Sequence, residues 1–133
     1  MSNQPSPIEV IKASYKAILG RGDIDTFDSY FAADGVLIEA ESLPYGGTFA
    51  GPAAIKAALL SVFPHYSAFS YTPEVLAESG EWVIAYGTFA VTAARSGRSI
   101  SFPLAEASRV VDGKIKLMNP VYSDTKALLD ILD

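Results

Sequence analysis

One carboxylate, that of Glu106, lies in a row of residues that is otherwise mostly apolar. The stretch from Ser99 to Val111 alternates as a β-strand does, and the row that shares a face with Glu106 consists of Ile100, Phe102, Leu104, Ser108 and Val110. A carboxylate on a buried face is costly unless it is paired, is kept protonated or borders a cavity. An ionised carboxylate can act as a general base, and a protonated one can donate a hydrogen bond to a developing oxyanion.

Two other side chains could take part in such proton chemistry. Tyr15 lies on the apolar stripe of a predicted helix, where it is either a core aromatic residue or a hydrogen-bond donor into a cavity. Glu39 shares a strand row with Leu37 and Glu41, and this row is more polar than the alternate one, so the pattern favours a solvated strand face. The single histidine, His65, follows a proline and is expected at a rim or a helix end.

The composition argues against several other kinds of chemistry. The chain contains no cysteine and one histidine, which excludes thiolate chemistry and a metal site built from several histidines. Neither a glycine-rich phosphate loop nor a nucleophile-elbow motif is present. The formal net charge of -5, without a cluster of lysine and arginine, argues against nucleic-acid binding. We therefore expect a site that works without a metal or a cofactor.

Length and hydropathy suggest the organisation and location of the chain. Half of the residues are hydrophobic, which indicates an apolar cavity or a buried oligomer face. No apolar run is long enough to span a bilayer, and the polar start from Met1 to Pro5 lacks the pattern of a signal peptide. These features predict a cytoplasmic protein with a single domain over residues 1–133.

The elements that must position the candidate residues begin with helices. Ser6, Pro7 and Glu9 have the pattern of a helix start with a capping box. Asp23 is expected to cap a second helix. The other elements predicted in this half are a turn at 34–35, a strand over 36–41, a loop over 43–51 and a third helix over 52–63.

The second half has the pattern of an antiparallel meander. Four strand-like runs, over 66–77, 82–94, 99–111 and 114–122, are separated by Ser79-Gly80, Ser96-Gly97 and Asp112-Gly113, which are typical of tight hairpin turns. A short final helix is predicted to begin at Ser123 or Asp124. Helices followed by a meander indicate an α+β fold, in which N-terminal helices pack on a strongly curved antiparallel sheet with a cavity between them.

The order of these elements resembles a known superfamily. Tyr15 followed by Gly22-Asp23-Ile24, then Phe31 to Gly35 and then Glu39, is similar to the nuclear transport factor 2-like superfamily and, within it, to the SnoaL-like and ketosteroid-isomerase-like branches. The segment from Ser42 to Pro52 resembles the loop that enters the third helix of SnoaL-like proteins. The resemblance covers nearly the whole chain. It implies the cone-shaped, cystatin-like α+β fold of that superfamily and a SnoaL-like domain over residues 1–133.

The same resemblance implies roles for three residues. Tyr15 matches the tyrosine that donates to the oxyanion in the isomerase, and Glu39 matches its general-base aspartate. Glu106 matches its second oxyanion donor, an aspartic acid kept protonated by an apolar site. Both acids are glutamates here, and two further tyrosines of the isomerase's hydrogen-bond network are replaced by Phe31 and Leu59.

Two functions are consistent with these residues. The first is a cofactor-independent isomerase or cyclase, in which Glu39 abstracts a proton next to a carbonyl of a small apolar molecule while Tyr15 and protonated Glu106 bind the enolate. Its pocket is expected to be lined by Phe31, Phe63, Tyr86, Phe102, Met118 and Tyr122. The second is a non-catalytic small-molecule binding or dimerisation module of the same fold. The apolar content and the resemblance also predict a homodimer through the outer face of the sheet.

Overall fold

In the computed structural model, which describes residues 4–133, the first helix begins at the capping box that the sequence predicts. The Ser6 hydroxyl accepts a hydrogen bond from the Glu9 backbone N–H, and the Glu9 carboxylate accepts one from the Ser6 N–H. Helix α1 (Pro7–Tyr15) follows. The second helix, α2 (Ile24–Ser29), begins at Asp23, whose carboxylate accepts from the Thr26 N–H. Both predicted helix starts are confirmed.

Helix α1 leads directly into a π-helix over Lys16–Gly20. Such turns are rare and often lie at functional sites. Because a π-helix has more residues in each turn than an α-helix, it changes the directions of the side chains that follow Tyr15. The remaining helical elements are α3 (Pro52–Val62), a single 3₁₀ turn (Phe63–His65) and α4 (Thr125–Leu132).

The strands form one curved six-stranded sheet in the order β2-β1-β6-β5-β4-β3. Their bounds are β1 Phe31–Glu39, β2 Gly47–Ala50, β3 Tyr66–Ser79, β4 Trp82–Ala93, β5 Ser99–Val111 and β6 Lys114–Tyr122. Strands β3 to β6 form the predicted antiparallel meander. The sheet as a whole is mixed, because β1 and β6 run parallel. The α+β fold is confirmed, and the expectation of a wholly antiparallel sheet is corrected at this one pair.

The predicted turn at Asp34-Gly35 is wrong, because both residues lie inside β1. The pairing of β1 with β6 is irregular between Phe31 and Val36. A Cβ atom on Gly35 would lie 2.7 Å from the carbonyl oxygen of Ile115, so glycine permits the close approach of β6. The Asp34-Gly35 pair, which resembles a turn in the sequence, therefore marks an irregularity within the strand. The predicted loop over 43–51 likewise contains the short strand β2.

Two clusters of buried apolar side chains hold the helices on the sheet. The first joins α1, α2 and α3 to the sheet and includes the fully buried Ile11, Ile55 and Ile115. The second joins α4, through Leu128, to the loop before β2 and to strands β3, β4 and β5. Burial of such side chains is the main stabilising contribution to a fold of this size. Side chains from both clusters line the cavity described below.

The polar N-terminal start, from which a cytoplasmic location is predicted, includes Met1, Ser2 and Asn3, which lie outside the described residues. Within residues 4–133, no helix has both the length and the apolar character that crossing a membrane would require.

Candidate active site

A cavity of about 100 Å³ lies between the helices and the sheet. Its polar lining consists of two carboxyl groups, from Glu39 and Glu106, and three phenols, from Tyr15, Tyr71 and Tyr122. The other lining residues are apolar, and none of the residues that line it is a lysine, an arginine or a histidine. A dry cavity of roughly 150 Å³ can hold benzene. The space here is smaller than that, so a six-membered ring would occupy all of it and reach toward its open side.

Glu39, the last residue of β1, faces this cavity and is only 6% exposed. The expectation of a solvated strand face is wrong, because Glu41, which made its row look polar, lies beyond the end of the strand. The Tyr122 hydroxyl donates a 2.9 Å hydrogen bond to Glu39 Oε2. Burial raises the pKa of Glu39 to about 8, against the lowering effect of this hydrogen bond and with a smaller contribution from the charge of Glu106.

Glu106 is paired with Tyr15 at the cavity wall. The Tyr15 hydroxyl, at the end of α1, donates a hydrogen bond to Glu106 Oε1. Burial raises the pKa of Glu106 to about 7, although the hydrogen bond from Tyr15 lowers it. Burial and then the neighbouring charge of Glu106 raise the pKa of Tyr15, so this phenol stays protonated and can donate. The anomalous carboxylate of the β5 row thus both has a partner and borders a cavity.

The sheet register places the two carboxyl groups on opposite sides of one β6 residue. Glu106 pairs directly with Pro120, and Leu37 pairs with Met118, so Glu39 lies beside Pro120 from the other side. Two strand spacings separate β1 from β5 at the backbone, roughly 10 Å. Within residues 4–133, hydrogen bonds reach only Oε2 of Glu39 and only Oε1 of Glu106. Oε1 of Glu39 and Oε2 of Glu106 are therefore available to contact a ligand.

Three of the six residues predicted to line the pocket do so: Phe63, Met118 and Tyr122. Phe31 begins β1 and packs against Phe27 in the core instead, and Phe102 is buried against Phe89. Tyr86 lies on the outer face of β4 and is 50% exposed, so its predicted place in the pocket is wrong.

Several residues that line the cavity are not predicted by the sequence pattern. Tyr71 packs edge-on against Tyr15, with ring centroids 6.1 Å apart, and its hydroxyl donates to the Leu104 carbonyl oxygen. Ile18 and Leu19 reach the cavity from the π-helix, an element for which the sequence has no recognisable signal. The alternation in β3 could have identified Tyr71, because it shares a strand row with Phe69, another lining residue.

Two further features concern possible metal ligands and the single histidine. No group of three or more His, Cys, Asp or Glu side chains among residues 4–133 is arranged to hold a metal ion. His65 lies at the end of the 3₁₀ turn, with its ring 5.7 Å from that of Tyr45, and it does not line the cavity. Its position agrees with the expected rim or capping role.

Comparisons with known proteins agree with this architecture. Among solved structures, TerC, co-crystallised with polyporic acid, is 30% identical over 96% of this chain and 98% of that chain, with a TM-score of 0.85. A protein of unknown function from Burkholderia pseudomallei, described as NTF2-like, is 26% identical over 98% of each chain, also with a TM-score of 0.85.

A third structure shows the same fold at lower identity. It is a putative polyketide cyclase from Xanthomonas campestris pv. campestris, 20% identical over 99% of this chain and 100% of that chain, with a TM-score of 0.82. No curated protein matches the chain at a significant level. The family model of the SnoaL-like domain matches residues 11–118, which include Tyr15, Glu39 and Glu106. The chain belongs to the SnoaL-like family of the nuclear transport factor 2-like superfamily.

Proposed function

We propose that this protein is a cofactor-independent isomerase or cyclase that abstracts a proton next to a carbonyl group of a small apolar molecule. The observation that supports this proposal is that Glu39, Tyr15 and Glu106, which lie on three separate elements, line a single cavity with room for a ligand. A non-catalytic binding module would be favoured if Glu39 faced bulk solvent or if side chains filled the cavity. The burial of Glu39 against this cavity favours the enzyme.

In the proposed reaction, the free oxygen of ionised Glu39 takes a proton from the carbon next to the carbonyl. The electron pair of the broken C–H bond moves into the carbonyl, and an enolate oxyanion forms. Protonated Glu106 donates a hydrogen bond to this oxygen, and the Tyr15 hydroxyl, whose one proton is donated to Glu106 in the ligand-free cavity, turns to donate to it as well. These two hydrogen bonds stabilise the developing charge in a site without cations. The proton on Glu39 then returns to a different carbon, which yields an isomer. Alternatively, the enolate carbon attacks a second carbonyl to close a ring, and the alkoxide formed from that carbonyl takes up the proton from Glu39.

The cavity supports a ligand that is neutral and largely apolar. An anionic group would meet two carboxyl groups and no cation. Partly accessible apolar residues, among them Leu19, Leu59 and Phe63, mark the open side of the cavity, so a molecule larger than one ring would extend between them. The co-crystallisation of TerC with polyporic acid is consistent with a small organic ligand in this fold.

The proposal is tested with a ring-sized probe, a six-membered cyclic β,γ-unsaturated ketone. Abstraction and return of the proton give the conjugated enone, which is followed by its ultraviolet absorbance. We expect the protein to accelerate the reaction well beyond an equal concentration of acetate, because positioning and oxyanion stabilisation add to simple base catalysis. Rates equal to those of acetate, for this probe and for related ring-sized ketones, would overturn the proposal.

The reaction should have a narrow, bell-shaped pH dependence. It needs Glu39 ionised and Glu106 protonated, so the pair must hold one proton, and the pKa values are raised to about 8 for Glu39 and about 7 for Glu106. In the pair that holds one proton, this order places the proton more often on Glu39, so the reactive arrangement is the minor one. Because the groups interact, these values belong to the pair. The rate should fall below pH 7 as both groups become protonated, and above pH 8 as both become ionised. A rate that stays level from pH 5 to pH 10, on the ketone probe, would contradict this assignment.

We also propose a homodimer through the outer face of the sheet. Val75, Tyr86, Ala105 and Val121 form one cross-strand row over β3, β4, β5 and β6, and the three larger side chains are exposed. An exposed apolar row of this kind is typical of an interface. We also propose that the protein is cytoplasmic and that it binds neither nucleic acid nor membranes.

The dimer is tested by sedimentation at micromolar concentration. We expect the wild-type chain to sediment as a dimer and Tyr86→Glu to sediment as a monomer, because the substitution places a charge within the apolar row. Leu60→Glu is the matched control, since Leu60 is 54% exposed but lies on α3, away from the sheet. A wild-type chain that stays monomeric, or a Tyr86→Glu variant that stays dimeric, would count against this interface.

A further inference from the structure

A group of buried phenols connects Glu39 to elements outside the cavity. Tyr122, at the end of β6, donates to Glu39 Oε2 at 2.9 Å, and its hydroxyl also interacts with that of Tyr45. The Tyr45 hydroxyl lies 2.6 Å from that of Tyr66, the first residue of β3. Tyr45 and Tyr66 are both buried. Hydroxyl groups from three separate segments thus form a connected series, here called the phenol chain, that ends at Glu39.

Apart from the phenol chain, few groups near Glu39 could stabilise its negative charge. The lining of the cavity contains no cation that could stabilise an ionised Glu39. Within residues 4–133, the Tyr122 hydroxyl is the one group that donates a hydrogen bond to this carboxyl. A hydroxyl that itself accepts a hydrogen bond becomes a stronger donor, so Tyr45 and Tyr66 can strengthen the bond from Tyr122.

We propose that Tyr122, supported by Tyr45 and Tyr66, is a positioning residue for Glu39. Its hydrogen bond holds Oε2, directs Oε1 at the substrate and partly offsets the preference for the protonated form that burial gives this carboxyl group. The ring of Tyr122 packs edge-on against Phe89, with centroids 5.7 Å apart, which fixes the direction of the hydroxyl. This inference rests on the proposed role of Glu39 as the base.

The test is a titration that needs no substrate. Glutamate labelled with ¹³C at the side-chain carboxyl is introduced, and the Glu39 signal is assigned by its loss in Glu39→Gln. In Tyr122→Phe, we expect the pKa of Glu39 to rise by about one to two units, since a hydrogen bond to a charged group is lost. Tyr45→Phe and Tyr66→Phe should give smaller rises. The ring is retained in each case, and circular dichroism confirms the fold.

The matched control is Tyr71→Phe. Tyr71 also lines the cavity, but its hydroxyl donates to the Leu104 carbonyl oxygen, so its loss should leave the Glu39 titration unchanged. On the ketone probe, the alkaline limb of the pH profile of Tyr122→Phe should move upward with the titration and the maximum rate should fall, which a merely structural role would not cause. An unchanged Glu39 titration in Tyr122→Phe overturns this inference. A shifted titration combined with full turnover by Glu39→Gln overturns the proposed function instead.

Discussion

Replacing Glu39 by glutamine is expected to lower turnover of the ketone probe by about two to four orders of magnitude, the range that a positioned general base contributes. Glutamine has nearly the same size and can still accept the hydrogen bond from Tyr122, but it cannot take up a proton. Because Glu39 is buried and its pKa is raised, removal of its charge should not destabilise the fold. The measurement is kcat and KM on the probe, together with thermal unfolding.

The control for this substitution is Glu41→Gln. Glu41 lies two residues further along the chain, is exposed and does not line the cavity, so this variant should retain wild-type turnover. Together the two variants separate loss of a particular base from loss of one negative charge. Wild-type turnover by a folded Glu39→Gln protein would remove Glu39 from the mechanism.

Gly87→Ala should cause the largest loss of stability. Gly87 is buried in β4 opposite Pro73 of β3, and a Cβ atom there would lie 2.0 Å from the Thr72 carbonyl oxygen and 2.5 Å from Pro73 Cα. Because these atoms belong to the backbone, a change of side-chain rotamer cannot relieve the close contacts. The β3–β4 pairing must therefore shift. We expect the free energy of unfolding to fall by about 3 kcal/mol or more. Urea unfolding measures the change.

Gly20→Ala provides the comparison for Gly87→Ala. Gly20 ends the π-helix, it is exposed, and a Cβ atom there would meet nothing within 4 Å. Alanine should leave stability unchanged or raise it slightly, because it restricts the unfolded chain. A Gly87→Ala protein as stable as Gly20→Ala would show that the β3–β4 pair can adapt to the extra methyl group.

Features that depend on neighbouring residues could be predicted from the sequence. The caps at Ser6 and Asp23 and the hairpin turns of the meander involve residues only a few positions apart, and the structure confirms them. The parallel pairing of β1 with β6 could not be predicted in this way, because it joins segments from opposite ends of the chain. The same holds for the phenol chain, whose members lie on three distant segments.

The errors at Glu39 and Tyr86 have different physical causes. The row that contains Glu39 looks polar only when the alternation is extended to Glu41, which lies past the end of β1. The burial of Glu39 depends on residues far away in the sequence, namely Tyr122 and the helices. The prediction for Tyr86 places it on the wrong face because both faces of β4 are apolar around this residue. Its outer row begins with Trp82 and Ile84, and alternation cannot orient the first half of a strand in which both rows are apolar.

The position of β6 between β1 and β5 has a consequence for biosynthesis. The strands that carry Glu39 and Glu106 are joined only through β6, so the two carboxyl groups come together only after residues 114–122 have left the ribosome. Until then, β1 and β5 can each pair on one side only, with β2 and β4, and the other edge of each strand is open beside an apolar surface, a state prone to aggregation. We therefore expect nascent chains that stop before β6 to form their early helices and the β3–β4 hairpin, but to need chaperones to remain soluble.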